Sequence, residues 1–182
     1  VISEIETAFD PELYEKPTIV VVDDSTDDTR RRAQACGAKV LIGGGQGLGS
    51  AMYNGLKAAA GLQPDFIVAV DGDGQADAEE IPRFLQPLLD DEADFVLGSR
   101  FMNEGLVKYH YKFINRFGTI VLSRILKKTT GMELTDSHGG LRAMRTAVAR
   151  ELEMLGTHTY VQETIIDAAE KGFRLKEIPS VW

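Results

Sequence analysis

A single cysteine, Cys36, leaves the sequence without the means for an internal disulfide framework or a cysteine-based metal centre. Basic residues are also scarce, with 20 Lys and Arg against 28 Asp and Glu and a net charge of −8. Nonspecific nucleic-acid binding needs a basic face, so that class is excluded. No apolar run approaches the ~20 residues that span a bilayer, and no signal peptide is visible at the start. The histidines, His110, His138 and His158, are scattered, and no Ser/His/Asp set is legible. Internal repeats, low-complexity tracts and linkers are missing too. What remains is a chain of 182 residues, long enough for one domain with a substantial core.

The most informative stretch is Phe66-Ile-Val-Ala-Val-Asp-Gly-Asp-Gly-Gln75. Five apolar residues without interruption suit a strand covered on both faces, as in a parallel sheet. The run stops at Asp71, with Asp73 and Gln75 following at spacings of two. Gly72 and Gly74 remove side-chain bulk between them and widen the backbone torsions available. Carboxylates at the carboxyl edge of a sheet lie where open α/β folds bind ligands. Two carboxylates and an amide oxygen are hard donors suited to Mg²⁺ or Mn²⁺. By residue type alone, a plain polar turn accounts for them equally well.

Other segments repeat the pattern. Thr18–Val22 reads as a β-branched strand ending in Asp23-Asp24, with Ser25 or Thr26 placed to cap a helix running to about Cys36. Ala38–Ile42 predicts a short strand, followed by a glycine cluster and a helix over Ser50–Ala60. Asp77, with Glu80 three residues on, predicts a capping box and a helix to about Asp91. Ala93–Leu97 predicts a strand running into Gly98-Ser-Arg100. Phe113, Phe117, Ile120, Val121, Ile125 and Leu126 form a helical stripe, whose ordinary explanation is core packing. Asp136–Arg142 reads as a polar turn or strand, helices follow near 146–155 and 161–171, and Phe173–Val181 predicts a last strand. Alternating strands and helices predict a three-layer α/β domain with a mainly parallel central sheet.

Familiar motifs fail on inspection. The segment from Asp71 has Ala76 and Pro82 where an EF-hand loop needs Gly and Glu. The glycine cluster has Ser50 where a dinucleotide fingerprint needs its third glycine and a P-loop needs Lys. The joint signal is stronger than any single one. Strands ending in Asp23-Asp24, in Asp71-x-Asp73 and in Arg100, with Asp136 nearby, would gather carboxylates for a cation and a guanidinium for phosphate oxygens at one sheet edge.

Val21-Val-Asp-Asp-Ser-Thr-Asp-Asp-Thr29, Val70-Asp-Gly-Asp-Gly-Gln75, Asp94-Phe-Val-Leu-Gly-Ser-Arg100 and Asp136-Ser-His-Gly-Gly-Leu-Arg142 resemble family 2 glycosyltransferases of the GT-A fold. Within that family the sequence is most similar to dolichyl- or polyprenyl-phosphate mannosyl- and glucosyltransferases, from Thr18 through Glu177-Ile-Pro179 to the chain end. The resemblance implies a metal-dependent, inverting transfer of a hexose, mannose or glucose, from GDP-mannose or UDP-glucose to a lipid phosphate. It places Asp23 and Asp24 by the base and ribose. Asp71 and Asp73 become the Asp-x-Asp pair, with Asp73 and Gln75 nearer the Mg²⁺ or Mn²⁺ and Asp71 nearer the ribose. Arg100 is implied near the diphosphate, Asp136 as acceptor-side base and Glu163 as a second candidate for that role.

The family's first strand and any membrane helices are expected outside residues 1–182, which then form one catalytic domain. Work at a cytoplasmic membrane face is expected, through the Phe113–Leu126 stripe or through such outer segments. The chain departs from the family at Asp28, where Gly is usual, in lacking a second Gly of the Asp23 loop, and at Leu141, where Phe is usual. Gln162 lacks the following Arg-Trp pair of processive synthases. Two other readings compete: a nucleotidyltransferase, and a nucleotide-sugar-binding domain without turnover.

Overall fold

Described in the computed structural model are residues 1–103, 122, 126–127, 131–132, 134–136, 138–153, 156 and 160–181. Helix α1 (Ile2–Ala8) packs Ile5 and Phe9 inward, ahead of β1 (Val20–Asp23). Then come α2 (Thr29–Ala35), β2 (Lys39–Ile42), α3 (Leu48–Gly61) and β3 (Phe66–Ala69). A 3₁₀ turn (Ala78–Glu80) leads into α4 (Ile81–Leu89), followed by β4 (Phe95–Ser99). The described elements end with β5 (Arg142–Arg145), α5 (Thr146–Glu151), α6 (Val161–Glu170) and β6 (Leu175–Pro179). Of the six residues in the Phe113–Leu126 stripe, only Leu126 falls among the described residues, and it is buried in the core.

Strands β1 and β2 pair in parallel, Val20 opposite Lys39. The larger sheet has the order β3-β5-β4-β6. Strands β3, β4 and β6 share one direction, while β5 lies antiparallel between β3 and β4. Side chains alternate across this sheet as the two-residue period requires. Ile67, Phe95, Leu97 and Met144 join the core under α3, α5 and α6. Val96 and Ala143 join a second core under α4. Helix α4 supplies Ile81, Phe84, Leu85 and Leu88, an i, i+3, i+4, i+7 stripe. Two helical layers around a sheet give the three expected layers.

The antiparallel strand decides where the site sits. The carboxyl ends of β3 and β4 lie beside the beginning of β5, since Ala69 and Leu97 both pair with Arg142. The segment preceding β5, with Asp136, therefore reaches the edge where β3 delivers Asp71 and β4 delivers Arg100. Parallel strand ends alone would not have brought Asp136 there.

Two local expectations are corrected. Neither Ser25 nor Thr26 caps α2; Asp27 Oδ1 accepts the Thr29 N–H at 2.9 Å instead. Asp77 does accept from Glu79 N at 3.0 Å, but Glu80 does not close a capping box. Its buried carboxylate takes the Ser180 hydroxyl and the Val181 N–H, each at 2.8 Å, and pairs with Arg83. Glu80 thus ties the turn after the acidic loop to the end of β6.

Candidate active site

The acids after β3 are unequal. Asp73 is exposed and its Oδ1 folds back on the Gln75 N–H at 3.0 Å, an Asx turn with Gly74 at φ 77°. Asp71 is half-buried, and its Oδ1 faces the Tyr160 hydroxyl at 3.3 Å. Burial, then the Asp73 charge, pushes the Asp71 carboxyl above its ordinary value, while Tyr160 and Arg142 pull it down. Beneath it lies Arg142, only 2% exposed. Its Nε donates to Gly139 O at 3.0 Å, and its Nη1 to Val161 O at 3.1 Å and Thr164 Oγ1 at 2.8 Å. The Tyr160 ring covers the guanidinium at 5.3 Å, and burial pushes the Tyr160 hydroxyl up to about 12. Burial lowers Arg142, while Tyr160, Asp71 and Asp136 oppose the shift, so both acid groups feel this buried cation.

The second half of the site is a clasp between the end of β4 and the segment before β5. Arg100 forks onto Asp136, with Nε to Oδ2 at 2.6 Å and Nη2 to Oδ1 at 2.9 Å. Its own backbone N–H also reaches Oδ2 at 3.1 Å, and His138 N reaches Oδ1 at 2.9 Å. The Asp136 carboxylate is thus buried behind four hydrogen bonds. His138 sits beside the fork with Nε2 3.0 Å from Gln162 Nε2, and burial lowers its pKa despite Asp136. A Cβ on Gly139 would collide with the Gly98 carbonyl, so only glycine permits the two segments to approach this closely. Gly139→Ala is expected to cost about 2–3 kcal/mol of stability. Urea unfolding should show it as a lower midpoint at an unchanged m-value.

The remaining candidates sit in separate surroundings. Asp23 is 5% exposed; its Oδ1 accepts Ser25 N at 3.2 Å, and Arg30 Nε stands 3.4 Å from its Oδ2. That Oδ2 and the Arg30 Nε facing it are both buried and without a hydrogen-bond partner among the described residues, so the pair is held by charge alone. Asp24 is exposed and rests its carboxylate against Gly43, at the start of the glycine cluster. Glu163, in the first turn of α6, accepts the Gly156 N–H at 2.9 Å. Nothing in the sequence singles out Tyr160, and Glu177 and Arg142 stand there only as parts of motifs.

The donor set fits a divalent cation in one particular way. Among the described residues no cluster of three or more His, Cys, Asp or Glu could hold a metal ion alone. Asp71 and Asp73 supply two carboxylates whose mutual repulsion a cation would relieve, and further ligands would have to come from a bound diphosphate. Mg²⁺ sites built from one or two carboxylates plus substrate phosphates follow that division.

The model of glycosyl transferase family 2 matches residues 5–153. The chain is a family 2 glycosyltransferase. The match covers most of the chain, and with it the nucleotidyltransferase reading falls away. The dolichyl-phosphate hexose transferase of Haloferax volcanii is 31% identical over 163 residues, covering 88% of this chain and 68% of that protein. UDP-N-acetylglucosamine–dolichyl-phosphate N-acetylglucosaminyltransferase of Methanococcus voltae is 33% identical over 137 residues, 74% of this chain and 54% of that one. Glucosyl-3-phosphoglycerate synthase of Mycobacterium tuberculosis, solved with Mn²⁺, UDP-glucose and phosphoglyceric acid, superposes with a TM-score of 0.67 at 21% identity. That superposition covers 98% of this glycosyltransferase and 64% of the synthase, and it establishes the shared GT-A fold. The glycosyltransferase thus spans roughly half to two-thirds of the length of these proteins. Among its described residues no helix is long and apolar enough to cross a membrane.

Proposed function

We propose that this glycosyltransferase moves one hexose from a nucleoside diphosphate sugar to a polyprenyl or dolichyl phosphate, with inversion at the anomeric carbon. The observation that carries the reading is the Asp71–Asp73 pair at the sheet edge, two carboxylates coupled to each other and, through Asp71, to the buried Arg142. Asp73 and Gln75 would hold the cation, with Asp71 between it and the ribose. Bound there, Mg²⁺ or Mn²⁺ offsets the charge that builds on the leaving diphosphate. Asp23 and Asp24, at the end of β1, would serve the nucleotide's base and ribose. UDP-glucose and GDP-mannose are the donors to try first; UDP-glucose stands in the neighbouring synthase structure, and dolichyl phosphate in the relatives' names.

A lipid phosphate also eases the demand on a base. Phosphate monoesters are largely ionised at pH 7, with a second pKa near 6. One of their oxygens can attack the anomeric carbon as the bond to the diphosphate breaks, with no proton to remove. Asp136 then acts by holding Arg100 toward the phosphates, and Glu163 by fixing the chain at Gly156 against α6. Donor binding is checked by calorimetry: UDP is expected to bind at least about tenfold more tightly with Mn²⁺ than with EDTA, about 1.4 kcal/mol. Equal affinity under the two conditions would remove the cation from the site.

A further inference from the structure

We propose that Glu177 is the positioning residue of the Arg100–Asp136 clasp, its carboxylate setting the Thr135–Asp136 backbone and, through Asp136, the Arg100 guanidinium. Glu177 lies on β6, paired opposite Leu97 of β4, two residues before the ladder ends at Ser99 and Pro179. Its Oε1 accepts the Asp136 N–H at 2.7 Å. Its Oε2 accepts the Thr135 N–H at 2.8 Å and the Thr135 hydroxyl at 2.9 Å.

The proton directions follow from this. With Thr135 Oγ1 donating to Glu177, the 2.6 Å contact between Thr135 Oγ1 and Ser99 Oγ must be donated by Ser99. Ser99 Oγ is then free to accept the N–H groups of Phe101 and Met102, at 3.1 and 3.2 Å. One relay runs from the turn after β4, through two hydroxyls, to a single carboxylate. Both segments of the clasp end on Glu177, and its three donors reach both carboxylate oxygens, which only an acceptor-only group satisfies together. An amide there must turn its NH₂ toward at least one of these donors.

Burial pushes the Glu177 carboxyl above its ordinary value, with the three hydrogen bonds opposing. Among the described residues no cation pairs with it. A half-buried charge held only by these donors costs desolvation. Its gain is geometry, since a site held on a strand is set more accurately than one left to a loop.

The inference rests on the role proposed for Asp136 in holding Arg100 toward the phosphates, and the test separates the two. Glu177→Gln and Thr135→Val are compared with wild type for transfer from UDP-glucose to polyprenyl phosphate, for Mn²⁺–UDP affinity, for melting temperature, and for amide hydrogen exchange. Glu177→Gln should lower kcat by about 10- to 100-fold, within the range that misplacing a positioned group by 1 Å costs. Mn²⁺–UDP affinity should stay within about twofold, and exchange should quicken at Thr135 and Asp136. Thr135→Val, which keeps the backbone donors, should lose kcat selectively and less. Wild-type kcat in both variants, or unchanged exchange at Thr135 and Asp136, overturns the role of Glu177. A folded Asp136→Asn protein with wild-type turnover overturns the role of the Arg100–Asp136 clasp itself, and with it this inference.

Discussion

Asp73→Ala should lower kcat/KM by about 10³-fold or more while leaving the melting temperature nearly unchanged. The two halves of that expectation have separate causes. Asp73 is exposed, and its one described hydrogen bond is to the Gln75 N–H, so truncation removes little from the fold. Surface changes of that kind stay within about ±0.5 kcal/mol. The loss of activity comes from the leaving group. Metal stabilisation of charge on phosphoryl oxygens amounts to several kcal/mol of the barrier, and each 1.36 kcal/mol is tenfold in rate. Asp71 cannot substitute, being half-buried and turned toward Tyr160. Electron paramagnetic resonance of Mn²⁺ with UDP gives a readout independent of turnover. The variant should leave the Mn²⁺ signal free where wild type broadens it. A folded Asp73→Ala protein with metal-dependent turnover would show that the cation is held elsewhere.

Asp136→Asn is expected to cost both activity and stability, because Asp136 is one half of a buried ion pair. Removing one partner of such a pair typically costs about 3–5 kcal/mol, since the remaining charge stays buried. Asparagine keeps the shape and one acceptor, so the expected loss lies at the low end, about 3 kcal/mol. For activity, kcat should fall by about 10² to 10³, the size of effect that displaced charge-stabilising donors produce. Donor affinity should fall by much less than kcat, because the Asp71–Asp73 pair that would hold the cation is left in place. Arg100→Lys gives the companion result: a lysine cannot make the bidentate fork and should reproduce most of the kcat loss. If Asp136 instead removed a proton, Arg100→Lys would leave most of the rate. An unimpaired rate in Asp136→Asn would remove Asp136 from the reaction altogether.

The Asp71–Asp73 end of the candidate site was legible because its signals are local. An unbroken apolar run ending in Asp71-Gly-Asp73-Gly-Gln75 announces a strand delivering oxygen ligands to a sheet edge, and β3 stops at Ala69. Strand β4, buried at every position, was equally plain and put Arg100 at its end. The remaining parts depend on sheet order, which no local pattern encodes. Strand β5 inserts antiparallel between two parallel neighbours, and that insertion brings Asp136 against Arg100 across 36 residues. Glu177 meets the same segment from 41 residues away. Tyr160 carries no periodicity of its own, and it became visible only once Asp71 and Arg142 stood on either side of it. At Glu80 a local rule lost to a tertiary one: the sequence offers a capping box, but the carboxylate satisfies Ser180, Val181 and Arg83 instead.

The most direct measurement incubates the protein with UDP-[¹⁴C]glucose or GDP-[¹⁴C]mannose and polyprenyl phosphate, with Mn²⁺ or with EDTA, and counts label extracted into organic solvent. Label should enter the lipid phase from one of the two donors with Mn²⁺, and fall to background with EDTA or without polyprenyl phosphate. Lipid labelling that persists undiminished in EDTA, or donor bound with Mn²⁺ but never transferred to the lipid, would contradict metal-dependent hexose transfer to a lipid phosphate.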